Sequence, residues 1–274
     1  SICEQLEKKL QDKSFDYLIF LDTTFYPREM VLEFIKKLSS EQAFSALVFH
    51  MASVEIYQLR REEMNFLLET KLQKKDFEYL PLFFNVYYGN SPLPVDFLKN
   101  AIQFLNANQA FQVFTDYRVS DSALKEYLYE QKQKEIDFVL ETKLRDENFS
   151  CVSILEKNVK SLPKKFILKM FSLLNLEQVI DIIINYNVID SSLSLKNDLY
   201  LQKIEQIDSY FLKKLQDENF DYSFLFQQKK VLPPLMIEHF IQNLNLTQVF
   251  TAYFYNISTG YKKQIFEFHQ EELN

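Results

Sequence analysis

An apolar pattern recurs at the same spacing after four prolines, Pro27, Pro94, Pro163 and Pro233. Counting forward from each proline by 3, 4, 7, 8 and 11 residues reaches an apolar side chain in every copy. This spacing places the apolar residues on one face of an α-helix. Because proline is well tolerated at the first helical position, the pattern predicts four helices that each begin at a proline and bury one face.

A polar pair follows each of these apolar runs. A Ser or Asn stands 12 residues after the proline, and a Gln stands three residues further on. The four pairs are Ser39 and Gln42, Asn106 and Gln109, Asn175 and Gln178, and Asn245 and Gln248. The spacing is that of a capping box, in which the Gln side chain bonds back to the amide of the capping residue. We therefore predict that a second helix begins at each pair, and that the glutamines are caps rather than a ladder that contacts a repetitive ligand.

The third landmark is a Lys-Leu pair that ends four similar segments, which begin at Ile2, Met64, Ile136 and Ile207. A Phe stands five residues after each Leu, and a residue type favoured as an N-cap precedes it. These capping candidates and phenylalanines are Ser14 and Phe15, Asp76 and Phe77, Asn148 and Phe149, and Asn219 and Phe220. The pattern predicts that one helix ends near each Lys-Leu and that another begins at each Phe. The charged stretches 122–143 and 195–214 predict longer helices that connect successive units.

Together these landmarks predict an all-α fold, a right- or left-handed α-solenoid of four repeats of about 70 residues, each made of two helical hairpins. The predicted repeats, approximately 2–63, 64–135, 136–206 and 207–274, form a single helical-repeat domain that we expect to be part of a longer protein. Only two glycines occur, which disfavours folds that need many positive-φ turns. The chain resembles the tetratricopeptide, HEAT and clathrin-type α-solenoids as a class, and this resemblance implies a protein that holds other macromolecules.

The composition limits the classes of partner and the cellular location that we expect. The net charge of −7 argues against binding to nucleic acid or to anionic membrane surfaces. Cys3 and Cys151 are too few for a disulfide framework and fit a reducing, intracellular and cytoplasmic location. No apolar run approaches the roughly 18 residues of a membrane span.

No catalytic motif is present in the sequence. His50, His239 and His269 have no zinc-ligand spacing, and the two glycines cannot form a phosphate-binding loop. We therefore expect no catalytic residue, no cofactor, no metal and no small-molecule substrate, and hence a protein that is not an enzyme.

Two sets of residues are candidates for binding a partner. The first is the row of equivalent lysines, Lys9, Lys71, Lys143 and Lys214, which could line a groove or could simply complement helix C-termini. The second is an aromatic insertion in the second repeat, with Phe83, Phe84, Tyr87 and Tyr88, which could contact a partner or pack on the next hairpin. The first hypothesis is a non-catalytic protein–protein interaction scaffold or adaptor within a larger complex. The alternative is an RNA-binding helical-repeat protein, in which the lysine row and Arg118 would form a basic stripe.

Overall fold

The computed structural model describes residues 2–12, 14–84, 92–158, 160–186, 192–226, 231–254 and 259–273, and this part of the chain contains helices and no β-strand. The α-helices are α1 (Ile2–Leu10), α2 (Arg28–Lys37), α3 (Ser40–Val48), α4 (Ser53–Leu72), α5 (Val95–Phe104), α6 (Ala107–Thr115), α7 (Ser122–Leu144), α8 (Cys151–Asn158), α9 (Lys164–Leu173), α10 (Leu176–Asn185), α11 (Ser192–Leu215), α12 (Pro234–Gln242), α13 (Leu246–Phe254), α14 (Thr259–Phe268) and α15 (Gln270–Leu273). Three 3₁₀ turns, Leu18–Leu21, Leu80–Phe83 and Ser223–Phe226, stand between them. The all-α class predicted from the sequence is confirmed.

The chain divides into two compact units, Ser1–Val139 and Leu140–Asn274, and the division falls inside α7. In the first unit, the long helix α4 packs against α2 and α3, which precede it, and against α5, which follows it. In the second unit, the long helix α11 packs in the same way against α9, α10 and α12. Each of these long helices therefore supplies core contacts to short helices on both sides of it in the sequence.

The proline helices begin one residue later than predicted. Pro27, Pro94 and Pro163 are N-caps with extended ψ values between 135° and 140°, and Pro233 takes the same role at 126°. A proline fits there because its carbonyl oxygen accepts the first helical bond, as Pro27 does from the Val31 amide at 3.1 Å. The predicted apolar faces are buried, with Met30 (47% exposed) and the half-buried Leu98 as the exceptions.

The prediction that a helix begins at each landmark Phe is wrong in three copies, and in the third copy α8 begins two residues after Phe149. The Phe amide instead closes a turn, donating to the carbonyl three residues earlier, as Phe15 does to Asp12 at 3.1 Å. The other three bonds are Phe77 to Lys74 at 3.4 Å, and Phe149 to Asp146 and Phe220 to Asp217, both at 3.0 Å. A single 3₁₀ turn follows in three repeats, and only the third repeat forms an α-helix there, α8. The predicted second hairpin is therefore reduced to one turn in those three repeats.

In three of the four copies, an aspartate side chain accepts a hydrogen bond that competes with the predicted helix start. Asp12 accepts the Ser14 amide at 2.9 Å, and Asp146 and Asp217 accept the Asn148 and Asn219 amides at 3.0 Å. A side chain that bonds to the amide two residues on stabilises a turn in place of a helix start. The predicted capping residues Ser14, Asn148 and Asn219 thus lie inside turns that an earlier aspartate stabilises, whereas the second copy has Lys74 at the position of that aspartate.

Candidate functional site

The four capping-box glutamines each join two helices. The Gln side-chain oxygen accepts the amide of the capping Ser or Asn at 2.9–3.0 Å, which confirms the predicted capping boxes. The Gln nitrogen also donates to the carbonyl of the Leu in the preceding Lys-Leu pair. The four bonds run from Gln42 to Leu10, Gln109 to Leu72, Gln178 to Leu144 and Gln248 to Leu215, at 3.0, 3.0, 3.1 and 2.8 Å. These side chains are therefore part of the helix junctions.

The three long helices are kinked at equivalent basic residues. Arg60, Lys132 and Lys203 have φ values between −133° and −123° inside α4, α7 and α11. A tyrosine three residues before each kink bonds to a side chain five residues after it. The bonds are Tyr57 to Asn65 at 3.1 Å, Tyr129 to Asp137 at 3.0 Å and Tyr200 to Asp208 at 2.7 Å. Because eight residues span about 12 Å along a straight helix, the long tyrosine side chain holds the two halves of the helix together across the kink.

Basic side chains at the kink also satisfy the C-terminal carbonyls of a proline helix. Arg60 donates to the Leu38 carbonyl at 2.8 Å, and Lys203 lies 3.5 Å from the Leu174 carbonyl. His269, between α14 and α15, donates to the Ile241 carbonyl at 2.7 Å. Cations and donors are favoured there because the last carbonyls of a helix have no intrahelical partner. These basic residues are therefore structural.

Tyr200, Asp208 and His239 form a polar cluster in the second unit. His239 Nδ1 lies 2.8 Å from an Asp208 carboxylate oxygen and 2.9 Å from the Tyr200 hydroxyl, beside a cavity of about 20 Å³. Burial, and then the hydrogen bond to Asp208, raise the pKa of Tyr200, so its phenol stays protonated. In the first unit the equivalent positions around Tyr57 hold Asn65 and Asn100. Because asparagine cannot transfer protons, this cluster is better explained as a helix junction than as an acid–base site.

Replacing Tyr200 with Phe is expected to destabilise the second unit by roughly 1–3 kcal/mol, because hydrogen bonds to a charged group contribute about that much. The measurement is urea unfolding followed by circular dichroism. Tyr210→Phe, on the same helix, is the matched control, since no hydrogen bond of the Tyr210 hydroxyl occurs among the described residues. Equal midpoints for the two variants would contradict a bracing role for Tyr200.

Two fully buried lysines were not predicted. Lys125 and Lys196 are 0% exposed, each seven residues before a kink, and their ammonium groups donate to the Asp116 carbonyl at 3.1 Å and the Val231 carbonyl at 2.8 Å. Burial lowers the pKa of Lys125 to about 8, although the Asp116 charge opposes the shift. The shared sequence Leu-Lys-x-x-Leu-Tyr at 124–129 and 195–200 is the signal that could have identified them.

Each lysine of the predicted row lies over an aromatic ring. The pairs are Lys9 and Phe15, Lys71 and Phe44, Lys143 and Phe149, and Lys214 and Tyr210, with 5.3–5.9 Å between the ammonium nitrogen and the ring centroid. Lys71 also pairs with Glu41 at 2.8 Å. At these distances a lysine gains from the ring quadrupole. Each of the four lysines therefore already interacts with an aromatic ring of this chain.

The aromatic insertion is only partly described. Phe83 is 1% exposed and belongs to the core, whereas Phe84 is half-buried beneath the Arg118 guanidinium, 4.5 Å from the ring centroid. Arg118 also pairs with Asp116 at 2.7 Å, and the hydrogen bond from Arg118 lowers the pKa of that carboxyl. The predicted candidates Tyr87 and Tyr88 lie outside the described residues.

Two exposed phenylalanines were missed by the sequence reasoning. Phe66 and Phe138 are each 68% exposed, six residues after the kinks at Arg60 and Lys132. Both begin the sequence Phe-x-Leu-Glu-Thr-Lys-Leu, at 66–72 and 138–144. Their positions two residues after the buried Met64 and Ile136 put them out of register with the core face, which is the signal that could have identified them.

No family model, curated protein or solved structure matches the chain. Within the described ranges, no three or more His, Cys, Asp or Glu residues come together where they could hold a metal ion. None of the described helices combines the length and the apolar character needed to cross a membrane. Cys151 is buried and free, and burial raises its pKa to about 12, which leaves the thiol protonated and unreactive.

Proposed function

We propose that the chain is a non-catalytic protein–protein interaction scaffold or adaptor, built as an α-solenoid of four helical repeats and acting within a larger complex. The observation that carries this proposal is the pair Phe66 and Phe138, two largely exposed rings at the same place in successive sequence repeats. Aromatic side chains supply much of the energy of protein interfaces when a partner buries them. The recurrence of an exposed ring at this position supports a surface that binds a partner protein.

Recurring junctions support the repeat architecture of the proposal. The bond from the capping-box Gln to the Leu carbonyl occurs four times, and the kink with its tyrosine bridge occurs three times. In helical-repeat proteins, stability is a sum of such nearest-neighbour interfaces. An array of this kind offers extended surfaces along its outer helices, which suits a scaffold.

The RNA-binding alternative gains less support. Lys71 is only 20% exposed and already pairs with Glu41, and the whole chain carries a net charge of −7. A protein that binds phosphates displaces counterions with clustered, accessible cations. The scaffold proposal is therefore preferred.

The test is affinity capture from a lysate of the source organism, with and without nuclease treatment, in which the wild type is compared with a Phe66→Ala, Phe138→Ala double variant. A specific protein that is retained by the wild type and lost from the double variant is the expected result. Phe25→Ala is the control, because Phe25 is 80% exposed but lies in a turn outside the long helices. A further Tyr87→Ala, Tyr88→Ala variant tests the aromatic insertion predicted from the sequence. Recovery of nuclease-sensitive RNA alone would contradict the scaffold proposal and favour the alternative.

A further inference from the structure

The outer face of α4 carries an aromatic ring between two carboxylates. Glu62 stands four residues before Phe66, and Glu69 stands three residues after it, so all three side chains project from one face of the helix. All three are exposed. Among the residues that the structure describes, no cation lies over the Phe66 ring, and neither carboxylate forms an ion pair.

Elsewhere the same chain completes this arrangement with a cation of its own. Three rings are each covered by a cation that also pairs with a nearby carboxylate: Phe44 by Lys71 with Glu41, Phe84 by Arg118 with Asp116, and Tyr57 by Arg61 with Asp96. The cation lies 4.5–5.5 Å from the ring centroid and 2.7–3.2 Å from the carboxylate in these clusters. The α4 face has the ring and the carboxylates of such a cluster but not the cation.

We propose that Glu62, Phe66 and Glu69 form a docking site for an arginine side chain of a partner protein. The proposal rests on the scaffold function and names the surface and the chemistry of its ligand. Arginine fits better than lysine, because a planar guanidinium can stack on the ring while its N–H groups bond to a carboxylate. Two carboxylates beside the ring repel phosphate groups, so the occupant is a protein segment and not a nucleic acid. Leu59, 43% exposed and just before the kink, adds apolar surface for an aliphatic side chain beside the arginine.

The experiment uses a display library of short random peptides selected on the intact chain. We expect enrichment of peptides that carry arginine next to an aliphatic residue. Fluorescence anisotropy then measures the affinity of a selected peptide and of its citrulline isostere, which keeps the shape and removes the charge. The citrulline peptide, the Phe66→Ala variant and the Glu62→Gln, Glu69→Gln double variant should each weaken binding about tenfold. Phe66→Tyr, which keeps the ring, and Phe25→Ala, which removes a ring elsewhere, should leave the affinity unchanged.

The outcomes separate this site from the scaffold function itself. Peptides that bind wild type and Phe66→Ala equally would overturn the α4 site while leaving a protein-binding surface elsewhere. A library that yields no peptide above the background would count against both proposals. Because Phe66 is 68% exposed, Phe66→Ala should melt at the wild-type temperature, which ties any lost affinity to the missing ring.

Discussion

Replacing Lys125 with methionine is expected to stabilise the first unit by up to about 2 kcal/mol at neutral pH, an unusual sign for a change at a fully buried position. Lys125 on α7 is fully buried, and burial lowers its pKa from 10.5 to about 8. A difference of that size corresponds to about 3 kcal/mol of penalty on the charged form. Methionine fills a similar volume without a charge.

The hydrogen bond lost in this variant offsets only part of the gain. Lys125 donates to the Asp116 carbonyl, but the same oxygen also accepts the Val119 amide at 3.2 Å and stays bonded when the lysine is removed. The Asp116 carboxylate likewise keeps its ion pair with Arg118. A hydrogen bond from a charged donor contributes about 1.5–3 kcal/mol, which is less than the penalty of about 3 kcal/mol on the buried charge, so a net gain of up to about 2 kcal/mol remains.

The pH dependence of the stability difference between Lys125→Met and the wild type tests whether the buried charge is its cause. Below pH 8 Lys125 is protonated in both the folded and the unfolded chain, and the full penalty applies. Between pH 8 and 10.5 the unfolded chain binds more protons than the folded chain, so the stability contributed by this group rises with pH. The advantage of Lys125→Met over the wild type should therefore be largest below pH 8 and should shrink as the pH approaches 10.5.

Urea unfolding of both proteins across this pH range provides the measurement, and the difference between them removes the contributions of tyrosines and Cys151, which titrate in both. Lys134→Met, at an exposed position of the same helix, is the control and should show neither the gain nor the pH dependence. A loss of stability in Lys125→Met at every pH would show that the hydrogen bond outweighs the cost of burying the charge.

The features predicted correctly from the sequence are those set by local chemistry. A capping box involves residues three apart, and the apolar spacing after a proline identifies the buried helix face without knowledge of its neighbours. The helix ends at Leu10, Leu72, Leu144 and Leu215 followed for the same reason. Local patterns also explain the mistaken helices after Phe15 and Phe220, because an aspartate turn competed there with a helix start and prevailed.

The features missed by the sequence analysis depend on contacts between distant segments. The partner of Lys196 is the Val231 carbonyl, 35 residues away, and the partner of Arg60 is the Leu38 carbonyl, 22 residues away. A buried lysine in a charged helix has the same local pattern as a solvated one. The exposed Phe66 likewise resembles a core residue until the face of α4 that packs against its neighbours is known.

Replacing Gln178 with alanine is expected to destabilise the second unit by roughly 1–3 kcal/mol, because one side chain makes two bonds at a helix junction. Its oxygen accepts the Asn175 amide at 3.0 Å, and its nitrogen donates to the Leu144 carbonyl at 3.1 Å. Urea unfolding is again the measurement, with the exposed Gln202→Ala as the control.

The glutamate variant at this position separates the two bonds. Gln178→Glu keeps the oxygen that accepts the Asn175 amide and adds a charge that the helix N-terminus favours, so a residue that served only as a cap would tolerate or benefit from the change. A carboxylate cannot donate to the Leu144 carbonyl, and it places two acceptors against each other at the junction. We therefore expect Gln178→Glu to be less stable than the wild type. Equal or higher stability would show that the bond from Gln178 to the Leu144 carbonyl adds nothing to the stability that the cap provides.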